Sequence, residues 1–351
     1  GYTLNPTVKE MYTSMKEEFK SEAVLPWGVT TYYRATSPAI GGTFTSLEPT
    51  QDRLNEVEPT WKDSMNDYNV MVVTIGRAAG ENTNYTPGKE GVNPDQDLNQ
   101  EDPLGLSDTE RATIDAAVKA KETNGGKVVV LLNNASAMEI DEIKNNDGVD
   151  ALLEVGIPGG YGFYGVADVL SGDANPSGHL ADTYAVDNSA SPAAQNYGDY
   201  EWTNADSAYS INSEIVEAEG IYTGYKYYET RYEDTVMGTG NAGSYVYSDD
   251  VAFPFGYGLS YTDFEYSDMT GVYDAATDSY NFNVTVTNTG DTYSGKETVQ
   301  IYAQSPYTEY DKENSVEKSA VQLCGFGKTD ILAPGESQTL TINVDRADIA
   351  S

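Results

Sequence analysis

Apolar positions change period along the chain, and each change marks an element. Val8, Met11, Tyr12, Met15 and Phe19 recur at helical spacing behind Asn5 and Pro6, which suit a cap and a first turn, so a helix with one buried face is predicted there. From Val70 to Ile75 the run is continuous and largely β-branched, as in a strand covered on both faces. Ser107-Asp-Thr-Glu110 has the spacing of a capping box, and Ile114, Ala117 and Val118 continue it as a helix that Gly125-Gly126 ends. Lys127 to Leu132 supplies a second uninterrupted strand, a helix is predicted through Met138, Ile140 and Ile143, and Val149 to Val155 is a third apolar run. Strand alternating with helix is the pattern of a parallel sheet. The turn Gly156-Ile-Pro-Gly-Gly-Tyr-Gly162 then leads to a helix from about Tyr164 to Leu170, closed by Gly172.

Residues from about 189 to 248 show no helical period and read as long loops with short β pieces. Tyr222, Tyr225, Tyr227 and Tyr228 cluster there, and both half-buried packing and stacking on sugar rings stay open for them. Beyond Phe264 the period becomes two: Tyr280, Phe282, Val284 and Val286 alternate with polar partners, Val299 to Ala303 follows, and Thr339 to Val344 alternates again after a Pro334-Gly335 turn. That is the signature of an antiparallel β-sandwich. The expected fold is α/β plus all-β, with a mostly parallel sheet in residues 1–262 and a β-sandwich in 263–351. A helix begins almost at Gly1 and the last alternating run stops near Val344, so a first strand and a closing strand are expected to be missing.

Composition narrows the classes of function. The 351 residues carry 20 basic and 56 acidic side chains, a net charge of −36 that repels nucleic acid and anionic membranes. Such acidity suits an extracellular or cell-surface setting and does not exclude the cytoplasm. One cysteine, Cys324, rules out an internal disulfide, and one histidine, His179, leaves no soft-ligand cluster for zinc. No metal or cofactor is expected, and His179 reads as a surface loop residue without a role. No apolar run approaches the roughly 20 residues of a membrane span.

Glu81 ends the stretch in which the Val70 strand runs into Gly76, Ala78, Ala79 and Gly80, so it stands where open α/β sheets place their chemistry. Position alone gives it no role among 56 acids. The glycines from 156 to 162 lack the Gly-Lys-Ser/Thr of a phosphate loop.

Several ordered segments together resemble glycoside hydrolase family 3, the β-glucosidases and their relatives. They are Arg77-Ala-Ala-Gly-Glu81, Gly172-Asp-Ala-Asn-Pro-Ser-Gly178 with Leu180-Ala-Asp-Thr183, Gly220-Ile-Tyr-Thr-Gly-Tyr-Lys-Tyr-Tyr-Glu229, and Phe253-Pro-Phe-Gly-Tyr-Gly-Leu-Ser-Tyr-Thr262. Gly295-Lys-Glu-Thr-Val-Gln-Ile-Tyr302 and Leu332-Ala-Pro-Gly-Glu-Ser337 are similar to that family's fibronectin type III-like domain. The resemblance implies an α/β/α sandwich followed by a fibronectin type III-like β-sandwich. It also implies a retaining hydrolysis of terminal β-linked glucosyl residues, with Glu81 as general acid and base and a nucleophilic Asp on a separate (β/α)8 barrel. Arg77 matches an arginine common in the motif, where a supporting role and a substrate contact are equally consistent, and Asn82 is a further candidate for substrate binding. Asn82 stands where the family usually has glycine.

No nucleophile segment is found in residues 1–351, and a barrel of about 250 residues has no room there. Half a site follows. The chain is expected to be inactive alone and to need a barrel from the same gene product or from another chain, with a β-glucoside or oligosaccharide as substrate. A non-catalytic carbohydrate-binding or surface-assembly protein of the same domains is the alternative, and a flavodoxin-like binder is a third.

Overall fold

Asn5 opens the first helix, α1 (Pro6–Ser14), by accepting from the amides of Thr7 and Val8 through its side-chain oxygen. The computed structural model describes residues 2–15, 20–25, 28–33, 48–77, 104–196, 200–201, 213–214, 216–239 and 243–349. Two units divide the chain, Gly1–Ser171 and Gly172–Ser351.

In the first unit an antiparallel hairpin of β1 (Lys20–Leu25) and β2 (Gly28–Tyr33) precedes two short helices, α2 (Gln51–Val57) and α3 (Trp61–Ser64). Met11 and Met15 pack against Leu54 and Trp61, and Phe19 of the predicted stripe lies outside the described residues. The parallel sheet has the order β3 (Val70–Gly76), β4 (Lys127–Asn133), β5 (Ala151–Glu154). Its register runs from Val70 opposite Lys127 to Gly76 opposite Asn133, and from Val129 opposite Ala151 to Leu132 opposite Glu154. All three strands therefore end at one edge.

Between β3 and β4 lies α4 (Asp108–Asn124). Its capping box is complete: Ser107 Oγ accepts from the Glu110 amide and Glu110 accepts from the Ser107 amide. Gly125 ends it at φ 71°, a left-handed turn that a side chain resists. Ser107→Ala is expected to lower thermal stability by about 1–2 kcal/mol, because the buried Glu110 amide then loses its acceptor.

β4 is buried on both faces from Val128 to Leu132, as its sequence predicts. β3 is covered on one face only: Met71, Val73 and Ile75 are buried while Val72 is 46% exposed. The helix expected through Met138 and Ile140 shrinks to α5 (Asp141–Lys144). Met138, Ile140 and Ile143 are all buried, but the Glu139 amide bonds to Leu104 O, which holds the segment in an irregular path. The helix expected from Tyr164 starts earlier, as α6 (Gly159–Ser171).

The second unit begins with β6 (Tyr184–Ala185), α7 (Pro192–Asn196) and the antiparallel pair β7 (Tyr200–Glu201) and β8 (Ser213–Glu214). The stretch read as loops with β pieces also holds a helix of 13 residues, α8 (Tyr225–Met237). Its apolar face is built from tyrosines, with Tyr228 buried and the Tyr225 ring 4.7 Å from Phe255, so no aliphatic period announces it. After α9 (Tyr247–Asp250), β9 (Val251–Phe253) pairs with β6.

The sandwich that follows sets β10 (Phe264–Asp274) against β11 (Ser279–Asn288). A second, two-stranded sheet joins β12 (Thr298–Ala303) to β13 (Gln322–Lys328) beyond the short α10 (Glu309–Glu313). β14 (Ser337–Asp345) returns to complete the order β10-β11-β14, and α11 (Arg346–Ile349) follows. Val284, Val286, Val299, Ile301, Leu332, Ile342 and Val344 form its core, the inward half of each alternating pattern. This is the α/β plus β-sandwich architecture that the sequence implied.

Candidate functional site

Side chains and amides tie the strand ends of the parallel sheet together. The Arg77 amide donates to Asn133 O at 3.2 Å, Asn133 Nδ2 donates to Gly156 O at 2.5 Å, and the Gly156 amide donates to Glu154 Oε1 at 2.6 Å. Three strands thus present one continuous carboxyl edge, the place where a parallel sheet offers a crevice. Asn134, one residue beyond β4, is 2% exposed, and its Nδ2 has no partner among the described residues. Nothing in the sequence singles out this asparagine, because its burial comes from the surrounding packing.

Arg77 leaves β3 at this edge and turns inward. Its guanidinium meets both carboxylate oxygens of Glu110, at 2.6 and 3.0 Å, with side-chain exposures of 0% and 2% for the two residues. Nη1 also donates to Gly76 O at 2.8 Å and Nη2 to Gly105 O at 2.6 Å. A guanidinium so enclosed reaches a sugar only by opening its own ion pair. Glu110 carries both the capping box and the pair, a double duty that the Ser107–Glu110 spacing reveals only in its first part. Glu81 and Asn82 lie outside the described residues, in 78–103, whose described flanks are Arg77 and Leu104.

One turn along α4, a second polar group is enclosed. Glu48 Oε1 accepts from Tyr12 Oη at 2.6 Å and from Thr113 Oγ1 at 3.0 Å, and Gln51 Nε2 donates to Thr113 Oγ1 at 3.2 Å. Burial pushes the Glu48 carboxyl up to about 7, against the lowering effect of the two hydroxyl donors and with a smaller upward push from the charge of Glu110. Burial and the neighbouring carboxylate likewise raise the Tyr12 hydroxyl.

In the second unit, His179 is not a free loop side chain. It is 18% exposed, with Nε2 3.4 Å from Glu297 Oε1, and Glu297 also accepts from Tyr266 Oη at 2.8 Å. The clustered tyrosines are packed and bonded: Tyr225 Oη accepts from the Leu323 amide at 2.9 Å, and the Tyr227 and Tyr228 rings lie 5.0 Å apart. Among the described residues no helix is long and apolar enough to cross a membrane.

Comparison with known proteins gives this geometry its setting. Residues 1–261 match the glycosyl hydrolase family 3 C-terminal domain, and residues 297–351 match a fibronectin type III-like domain. A β-glucosidase of Ruminococcus albus is 35% identical over 247 residues, which cover 70% of this chain and 22% of that protein. An exo-α-(1→6)-L-arabinopyranosidase of Bifidobacterium breve is 34% identical over 226 residues, covering 64% of this chain and 24% of that one. The solved structure of β-glucosidase 3B from Thermotoga neapolitana in complex with glycerol superimposes with a TM-score of 0.61 at 32% identity, over 83% of this chain and 35% of that chain. The chain therefore spans about a quarter of the length of these curated relatives.

Proposed function

Because this chain belongs to glycosyl hydrolase family 3, we propose that it is the acid/base-bearing part of a retaining glycosidase of β-glucosidase type. The observation that carries the reading is the order of matches along the chain: residues 1–261 match the family's C-terminal domain, and the motif Arg77-Ala-Ala-Gly-Glu81 follows the strand β3 directly in sequence. Glu81 is the general acid and base. Asn82, beside it in sequence, contributes to substrate binding, whereas the buried pairing of Arg77 supports a holding part rather than a sugar contact.

Retention needs two carboxyl groups about 5–5.5 Å apart, one attacking the anomeric carbon while the other protonates the departing glycosidic oxygen. A single glutamate does not do both. The nucleophilic Asp is supplied by a (β/α)8 barrel, in the same gene product or in another chain, and residues 1–351 alone are inert. A β-linked glucoside fits the β-glucosidase relative, and the arabinopyranosidase relative leaves the terminal sugar to be measured.

Complementation tests this directly. Residues 1–351 mixed with or joined to a family barrel are expected to release phenol from phenyl β-glucoside with net retention, while either part alone gives none. Sugar affinity of residues 1–351 without any gain of hydrolysis in the assembly would support the binding-module reading instead.

A further inference from the structure

The first unit carries a bare aromatic strip on α6, and we propose that Tyr161, Tyr164 and Asp168 form a binding site for a neutral oligosaccharide. The site stands on α6 alone, whereas the sugar class rests on the glycosidase reading given above. No residue of α6 is buried. Tyr161 is 87% exposed and Tyr164 71%, and their ring centres lie 6.5 Å apart with the planes tilted by 30°. Residues three, four and seven positions apart share one face of a helix, so the two rings, Gly165 and the exposed Asp168 follow one another along a single stripe.

The fold itself does not ask for that stripe. A glycine inside a helix is destabilising, yet a Cβ at Gly165 would meet no atom within 4 Å, and Gly165 is not among the glycines with positive φ. A carboxylate in the last turn opposes the helix dipole, and Asp168 stands there with no basic residue in the same turn. Two large rings left in water forgo the gain of burial. Local choices that oppose the element they stand in concentrate at functional sites.

A sugar answers each of these choices. One face of a pyranose ring presents C–H groups and its rim presents hydroxyls; a pair of phenol rings meets the first by stacking, and a carboxylate at the end of the strip accepts from the second. Gly165 leaves the space beside the tyrosines open for a flat ring. Charge narrows the occupant further. Asp168 is the one charged residue of α6 and the chain carries −36, so an acidic glycan is repelled and an uncharged one is not. The stripe holds no aliphatic side chain, which sets it apart from a helix face that packs on protein.

Titration calorimetry of the 351-residue chain with cellotetraose tests the site without any need for hydrolysis. Binding at millimolar concentration is expected. It should weaken about tenfold or more in Tyr161→Ala with Tyr164→Ala, and less than about threefold in Tyr161→Phe with Tyr164→Phe, which keeps the rings. Asp168→Ala should weaken it about tenfold. Gly165→Leu separates binding from folding: leucine is the better helix former, so the thermal midpoint should hold or rise while affinity falls about tenfold.

No binding of cellotetraose, unchanged affinity in the tyrosine-to-alanine pair, in Asp168→Ala or in Gly165→Leu, or equal binding of tetragalacturonate would each overturn the proposal. So would a lower sedimentation coefficient of the sugar-free tyrosine-to-alanine pair, which assigns the strip to contact between copies of the chain. The complementation described above reads the glycosidase assignment separately. Cellotetraose affinity without hydrolysis in the assembly keeps this site and removes that assignment, and hydrolysis without affinity of the strip removes this site alone.

Discussion

Replacing Glu81 with alanine in an active assembly is expected to lower kcat/KM for phenyl β-glucoside by about 10²–10⁴-fold, the usual contribution of a positioned acid or base. The reason lies in which step needs the proton. In the first step the glycosidic oxygen departs as phenoxide unless an acid protonates it, and this step limits kcat/KM. A 2,4-dinitrophenolate leaves without help, so kcat/KM for that substrate should stay nearly constant. Its kcat should still fall, because the glycosyl-enzyme intermediate must be hydrolysed by a water that Glu81 would otherwise deprotonate. Azide attacks without base assistance, and adding it should restore kcat and yield the β-glucosyl azide. An equal loss on both substrates, with no effect of azide, would take the acid/base role away from Glu81.

Raising the pH from about 5 to about 8 is expected to destabilise the first unit by about 3 kcal/mol, and Glu48→Gln should abolish most of that dependence. The folded Glu48 carboxyl titrates at about 7 instead of its ordinary 4.5, chiefly because it is enclosed between α1, α2 and α4. Between these two values the folded protein binds more protons than the unfolded chain, so stability falls as pH rises. The favourable contribution is complete below about 4.5 and lost once pH passes about 7. The gap between the two values corresponds to about 3 kcal/mol. Glutamine retains an acceptor for Tyr12 and Thr113 and carries no charge to bury. Urea unfolding at pH 5 and pH 8 measures the effect, and a parallel decline in the glutamine variant would assign the pH dependence to other groups.

These two predictions draw on different layers of information. The Glu81 proposal draws on the sequence alone, because a strand that runs into small residues and a carboxylate is a local pattern and the flanking motifs occur in a fixed order. The same locality made α4 readable from Ser107 to Gly125, since capping residues bond to amides within three positions of themselves. Alternation likewise disclosed β11 and β14, whose inward residues meet in the sandwich core. Glu48 gave no such sign. Its partners Tyr12 and Thr113 stand 36 and 65 residues away, and its shifted protonation exists only where three helices enclose it.

Where local pattern and packing disagreed, packing decided. α8 shows no helical period because tyrosines supply its buried face, and Met138 and Ile140 carry a helical pattern although a backbone bond to Leu104 holds that segment in another path. His179 reads from the sequence as a surface loop residue, yet it lies against Glu297, 118 positions later in the chain. By itself, then, the sequence determined the strands of the parallel sheet, the helix α4 and the two-part architecture, all of which depend on neighbours along the chain. Only the tertiary structure decided that Arg77 faces inward to Glu110 and joins the two flanks of residues 78–103, because that pairing spans 33 positions and forms where a helix start and a strand end share a buried space.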